Sequence, residues 1–232
     1  MQFCPPITAV VQGEGELTTL ELLRRLRGGQ SLEGLRGVVY RQLDGEVVDQ
    51  GFPERMSDLS WLPIPAYHHI DLKRYTGVSF ITSRGCPFQC TFCNNASLWG
   101  KGIVYRPVDH VMEELAHLIE TYGVTCFEIG DDLMTADRDW AIAFARRLRS
   151  DFPHHDFTWY AHGRVGCVDE ELLRELGQAG LTTLHLGIET GSDRVRRSLG
   201  KVFTTREVVQ TIKAIRRHIP HVIGAFMYGY PN

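Results

Sequence analysis

Val78-Ser79-Phe80-Ile81-Thr82 runs directly into Ser83-Arg84-Gly85-Cys86-Pro87-Phe88-Gln89-Cys90-Thr91-Phe92-Cys93. The first five residues read as a short apolar strand. The loop after it carries three cysteines spaced C-x3-C-x2-C. Three thiolates are one short of a closed tetrahedral set, so the pattern leaves one coordination position for chemistry. Iron–sulfur clusters normally take four thiolates. Three from one loop would leave one iron of a 4Fe–4S cluster to an exogenous ligand. Zinc is the competing metal, because C-x2-C is also a zinc spacing. No second C-x2-C occurs, and His68-His69 would complete a zinc site only if their segment folded back. The spacing favours iron–sulfur.

Downstream, short apolar runs alternate with amphipathic ones. Residues 107–122 read as a helix, with Val108, Val111, Met112, Leu115 and Ile119 on one face. Residues 125–129 read as a strand. Asp137 is positioned to cap a helix bearing Trp140, Ala141, Phe144 and Leu148. Residues 157–161 form the next expected strand and 169–178 the next helix, closed by Gly180. Residues 183–188 follow as a strand. Thr204-Thr205-Arg206-Glu207 is a capping box for another helix, and 222–228 a fifth strand. Strands separated by helices imply parallel βα units, whose sites lie at the carboxyl ends of the strands. The cysteine loop follows the first strand, Asp131-Asp132 the second, Arg164 the third, Glu189 the fourth and Gly229 the fifth. One rim is expected to gather them.

Upstream, Thr18-Thr19-Leu20-Glu21 reads as a capping box, and Gly28-Gly29 stop the helix that follows. Val38-Val39-Tyr40 and Val47-Val48 flank Asp44-Gly45, a hairpin signal. Leu62-Pro63-Ile64-Pro65-Ala66 reads as an extended linker, which places a domain boundary near residue 75. The 232 residues are 43% hydrophobic and 23% charged, an ordinary globular composition. A net charge of -3 offers no global field for nucleic acid or an anionic membrane. No apolar run reaches the ~20 residues that span a bilayer. The N-terminus lacks the basic and apolar regions of a signal peptide, so a cytoplasmic location is expected. Of the six cysteines, Cys4, Cys126 and Cys167 are scattered and read as small buried apolar residues.

With its flanks, and with the aromatic Phe92 before the third cysteine, the loop resembles the cluster motif of the radical S-adenosylmethionine (radical SAM) superfamily. The resemblance extends to the branch that carries an N-terminal cobalamin-binding domain. It runs through Ser83-Arg84-Gly85-Cys86-Pro87, Phe127 with Asp131-Asp132, Gly187-Ile188-Glu189-Thr190-Gly191-Ser192 and Gly229-Tyr230-Pro231. Val10-Val11-Gln12-Gly13-Glu14-Gly15-Glu16 resembles the end of the cobalamin domain. The implied fold is α/β: a partial (β/α)6 TIM-barrel-like core after the tail of a Rossmann-like domain and a linker hairpin. The implied division is 1–29 for that tail, 30–75 for hairpin and linker, and 76–232 for a core ending after its fifth strand.

The resemblance makes Cys86, Cys90 and Cys93 ligands of a 4Fe–4S cluster whose open iron binds S-adenosylmethionine. Reductive cleavage then gives a 5′-deoxyadenosyl radical. Asp131 and Asp132 stand where the family contacts the methionine amine, although adjacent acids there also serve to cap the next helix. Glu189 stands at the nucleoside hydroxyls or is a surface acid. Arg164 either neutralises the methionine carboxylate or pairs with a rim acid such as Asp131. Phe92 lies near adenine or packs beneath the loop. Gly191 and Gly229 allow close backbone approach or form plain turns. The branch's Asp-x-His-x-x-Gly run is absent, so cobalamin is expected only in a full-length protein. Implied partners are a small-molecule substrate of unknown class and a low-potential donor such as flavodoxin or ferredoxin. Methyl transfer to carbon and oxidative cyclisation are the implied reactions. A methylthiotransferase would carry a further cysteine trio, but only Cys4 precedes Cys86. A zinc-binding module and an inactive fragment are the remaining alternatives.

Overall fold

A computed structural model describes residues 6–230; Cys4, Pro231 and Asn232 lie outside the described residues. In chain order the elements are β1 (Ala9–Val11), α1 (Gly15–Arg27), β2 (Val38–Arg41), β3 (Val47–Asp49), β4 (Val78–Phe80), β5 (Ser83–Cys86), α2 (Asn95–Trp99) and β6 (Gly102–Tyr105). They continue with α3 (Val108–Tyr122), β7 (Cys126–Ile129), α4 (Arg138–Asp151), β8 (Thr158–Gly163), α5 (Glu170–Gln178), β9 (Leu181–Glu189), α6 (Asp193–Ser198), α7 (Thr205–Ile215) and β10 (His221–Phe226). The chain divides into two compact units. One runs to Ser57 and includes Ser97–Gly100, and the other holds Asp58–Ala96 and everything from Lys101 onward.

In the first unit, β1, β2 and β3 form an antiparallel sheet whose β2–β3 turn carries Asp44-Gly45. Leu22, Leu35 and Val38 make its small core. Helix α1 begins at Gly15, a turn before the expected capping box, with Glu14 at the N-cap and no side-chain cap bond. The Glu14 carboxylate instead accepts from the Met56 amide at 2.6 Å. Thr18 is buried inside the helix, facing Gly37. Tertiary packing has overridden a local capping signal.

The second unit is built on a five-stranded parallel sheet ordered β4-β7-β8-β9-β10, beside a two-stranded β5-β6 ribbon. Each crossover carries the chain to the neighbouring position, as consecutive βα units do. The sheet is open, with β4 and β10 at its edges. Alternation along the strands divides the residues between two faces. Phe80, Phe127, Ile129, Trp159, Ala161, Leu184 and Leu186 join Leu115, Phe144, Leu148, Leu172 and Leu176 of the helices in one core. Trp159 is fully buried, stacks on Phe127 with centroids 5.9 Å apart, and donates its indole N–H to Ala179 O at 2.8 Å.

Local signals set most helix ends. Asp137 accepts from the Trp140 amide at 3.0 Å, and Asp169 from that of Leu172 at 2.9 Å. Thr204 and Glu207 form the expected capping box. The segment expected as an extended linker belongs to the larger unit, which begins at Asp58 rather than near residue 75. Tyr67 is buried there, its hydroxyl donating to Glu114, which also receives Arg106 Nη1 at 2.5 Å. Among the described residues no helix is long and apolar enough to cross a membrane.

Candidate active site

The ends of β5, β8 and β9 converge on a cavity of about 300 Å³. Cys86, Cys90 and Cys93 all line it, and all three are free thiols. Around them stand Asp132, Arg164, Glu189 and Lys201, with His162 and His185 behind. Their arrangement follows from strand alternation. Trp159, Ala161 and Gly163 face the helices, so Tyr160, His162 and Arg164 take the opposite direction.

Backbone contacts hold the cysteine loop. The Cys93 amide donates to Cys90 O at 3.0 Å and the Thr91 amide to Leu199 O at 3.1 Å. A Cβ at Gly200 would stand 2.9 Å from Gln89 O, so the glycine permits the close approach of its segment to the loop. Burial pushes the Cys86 thiol above its ordinary range. Cys90 and Asp132 act in the same direction, while the Phe88 amide and the Arg164 charge oppose them. Three thiol side chains on one cavity are a soft donor set of the kind that holds an iron–sulfur cluster.

The two adjacent acids part company. Asp132 is exposed at the cavity. Asp131 is buried and takes no part in lining it. Its Oδ1 accepts from the amides of Thr82 at 2.6 Å and Ser83 at 3.0 Å. Its Oδ2 accepts from their hydroxyls at 2.5 Å and 2.7 Å. Burial raises the Asp131 pKa despite those four hydrogen bonds. Asp131 therefore ties the β4–β5 connection to the end of β7.

Among the described residues, Arg164 forms an ion pair with neither Asp131 nor another rim acid. Its Nη1 lies 3.5 Å from Cys90 Sγ, and its guanidinium carbon stands 3.9 Å above the Phe88 ring. Glu189 is engaged by Lys201, whose Nζ lies 2.6 Å from Oε1 and 2.8 Å from Gly187 O. Both partners are buried, and Glu189 has φ 67, a left-handed conformation unusual for a side-chain-bearing residue. Phe92 is exposed at the cavity, 5.8 Å from Lys201 Nζ. Gly191 and Gly229 do not line it. Gly191 O accepts from the Thr205 hydroxyl at 3.3 Å, and Gly229 has φ 83.

Three polar lining residues escaped the motif reading: Lys201, His162 and His185. The histidines are register partners on β8 and β9, with ring centroids 5.2 Å apart. Asp131 O lies 3.1 Å from His162 Nδ1; a carbonyl only accepts, so Nδ1 carries the proton. Burial and the nearby His162 hold His185 below the usual imidazole range, against the opposing pull of Glu128. The polar–apolar alternation of Trp159-Tyr160-Ala161-His162-Gly163-Arg164 was the signal that could have found His162.

Comparison with known proteins agrees with this geometry. A model described as the Radical SAM superfamily matches residues 80–232. An uncharacterized methyltransferase of Pyrococcus horikoshii is 34% identical over 237 residues, covering 100% of this chain and 51% of that protein. Cytidylyl-2-hydroxyethylphosphonate methyltransferase of Streptomyces wedmorensis is 30% identical, covering 98% of this chain and 49% of its own length. The chain thus spans about half the length of these curated relatives. Among solved structures, the radical S-adenosylmethionine methyltransferase TsrM of Kitasatospora setae, with cobalamin and a [4Fe-4S] cluster bound, superposes with a TM-score of 0.78. The alignment covers 96% of this chain and 46% of TsrM at 16% identity, a likeness of fold. The family match, its position over the cysteine loop and the parallel sheet agree: the chain belongs to the radical SAM superfamily.

Proposed function

We propose that this chain is the cluster-binding part of a radical SAM methyltransferase. One observation carries the proposal: three free thiols line one cavity together with two acids and two cations at the carboxyl ends of parallel strands. Cys86, Cys90 and Cys93 would hold a 4Fe–4S cluster. When bound, that cluster with S-adenosylmethionine supplies a 5′-deoxyadenosyl radical, using one electron from a low-potential donor such as flavodoxin or ferredoxin. Asp132 offers an exposed carboxylate to the methionine ammonium, which needs acceptors and a counter-charge. Glu189 has one oxygen on Lys201 and presents the rest of its carboxylate to nucleoside hydroxyls. Phe92 supplies an aromatic face beside them. Asp131 holds the loop root, and Gly191 and Gly229 shape turns behind the cavity.

Methyl transfer rather than cyclisation is the reaction that both named relatives support. Cobalamin is proposed only for the full-length protein, and the acceptor is a small molecule. The test is anaerobic reconstitution with iron and sulfide, followed by dithionite and S-adenosylmethionine. A brown protein that forms 5′-deoxyadenosine is expected. Equal product from the Cys86, Cys90, Cys93 triple alanine variant would refute the assignment. Stoichiometric zinc with no iron after anaerobic purification would favour a zinc-binding module instead.

A further inference from the structure

We propose that Arg164 is a positioning residue for the cluster: it clamps the cysteine loop and raises the reduction potential of the group held there. This rests on the iron–sulfur assignment above. Two contacts hold the guanidinium on the cysteine loop. Its Nη1 donates toward Cys90 Sγ at 3.5 Å. Its plane lies on Phe88, between Cys86 and Cys90 in sequence, at 3.9 Å. At 7% exposure it is largely removed from solvent screening.

The chemistry calls for arginine. A guanidinium is flat and permanently charged, so it stacks on a ring while donating an in-plane N–H. Lysine keeps the charge but loses the stack and the fork. The loop backbone is already held through Gln89 and Thr91, so Arg164 supplies what the backbone contacts do not: a hydrogen bond to a ligand sulfur. Reduction adds one electron, and so one negative charge, to the cluster. A cation and an N–H donor beside a ligating sulfur favour that form, which moves the potential upward. Asp132 lines the same cavity with the opposite charge and opposes the effect of Arg164.

The experiment uses full-length protein reconstituted anaerobically, without S-adenosylmethionine. Iron and sulfide are counted, and the reduced cluster's electron paramagnetic resonance signal is followed against an applied potential. Arg164→Met should move the midpoint down by about 59 mV, a tenfold change in a one-electron equilibrium. Arg164→Lys should fall between that variant and the wild type, and Asp132→Asn should move the midpoint up. A fully loaded Arg164→Met protein with the wild-type midpoint overturns the proposal. If Arg164→Met stays folded by circular dichroism but loses iron, Arg164→Lys decides. Restored loading with a lowered midpoint supports the clamp, and restored loading with no movement refutes it. A wild-type protein that takes up no cluster refutes the functional assignment itself; a loaded wild type with insensitive variants refutes only this inference.

Discussion

Replacing Asp131 separates a structural acid from a cofactor contact. Its carboxylate receives two amides and two hydroxyls at 2.5–3.0 Å. Asp131→Ala strands the buried amides of Thr82 and Ser83, at about 1–3 kcal/mol each, or about 2–6 kcal/mol together. Asp131→Asn keeps an oxygen for both amides. Its NH2 group then donates to the two hydroxyls, which rotate to accept. The asparagine variant should therefore stay within about 1 kcal/mol of wild type at neutral pH.

The pH dependence has a definite sign. Burial raises the folded-state pKa of Asp131, so the fold binds this proton more tightly than the unfolded chain does. The stability linked to that proton is fully present below the unfolded value of about 3.9 and is lost as pH rises through the folded value. Each tenfold of tighter proton binding is worth about 1.4 kcal/mol. Urea unfolding of wild type and both variants from acid to neutral pH reads this out. Asp131→Asn should gain on wild type as pH rises, and Asp131→Ala should be the least stable throughout. The reasoning fails if Asp131→Ala unfolds like wild type, or if the asparagine variant is as damaged as the alanine one. A stable Asp131→Asn protein that no longer binds S-adenosylmethionine in equilibrium dialysis would restore Asp131 to the cofactor.

Four further outcomes follow from other close contacts. Lys201→Met leaves Glu189 buried without its partner and should cost about 3–5 kcal/mol in chemical denaturation, most of it regained in the Lys201→Met, Glu189→Gln double variant. At Gly187, an added Cβ would stand 2.5 Å from Glu189 Oε1 and 2.6 Å from Lys201 Nζ, both tips of flexible side chains. Gly187→Ala should therefore fold while weakening S-adenosylmethionine binding by about tenfold in dialysis, or about 1.4 kcal/mol. Gly177→Ala should destabilise although alanine is worth about 1 kcal/mol in a helix, because its Cβ would meet His218 O at 2.3 Å; a raised melting temperature would contradict this. Tyr67→Phe removes a donor to buried Glu114 and should cost about 1.5–3 kcal/mol by urea titration.

What the sequence made legible was local or periodic. Asp137, Asp169 and Thr204 cap helices because the partner amide is three residues away, so the signal and the bond share one stretch of chain. The parallel strands were readable because both the apolar runs and the helices between them repeat. Thr18 carried the same capping signal and failed, since its contact with Gly37 is tertiary. Asp131 and Asp132 could not be told apart, because one residue of offset at a strand end sends adjacent side chains to opposite surroundings. Lys201 was invisible for a related reason. Its partner lies 12 residues back, across a helix whose geometry the sequence does not spell out.

Glu189 shows why these non-local contacts matter most at the site. A left-handed non-glycine residue costs on the order of 1–3 kcal/mol, and glycine would sit there without strain. Its buried ion pair with Lys201 is not an efficient source of stability either, since desolvation offsets most of the Coulomb gain. Strain and desolvation thus coincide at one residue, at the end of the strand beside the three thiols. A chain selected only for folding stability would relieve both with glycine at 189 and an apolar residue at 201. The carboxylate, fixed on one oxygen by Lys201 with Gly187 bare beneath it, is held as the proposed contact with nucleoside hydroxyls requires. The Lys201→Met, Glu189→Gln pair should therefore recover stability without recovering affinity for the nucleoside.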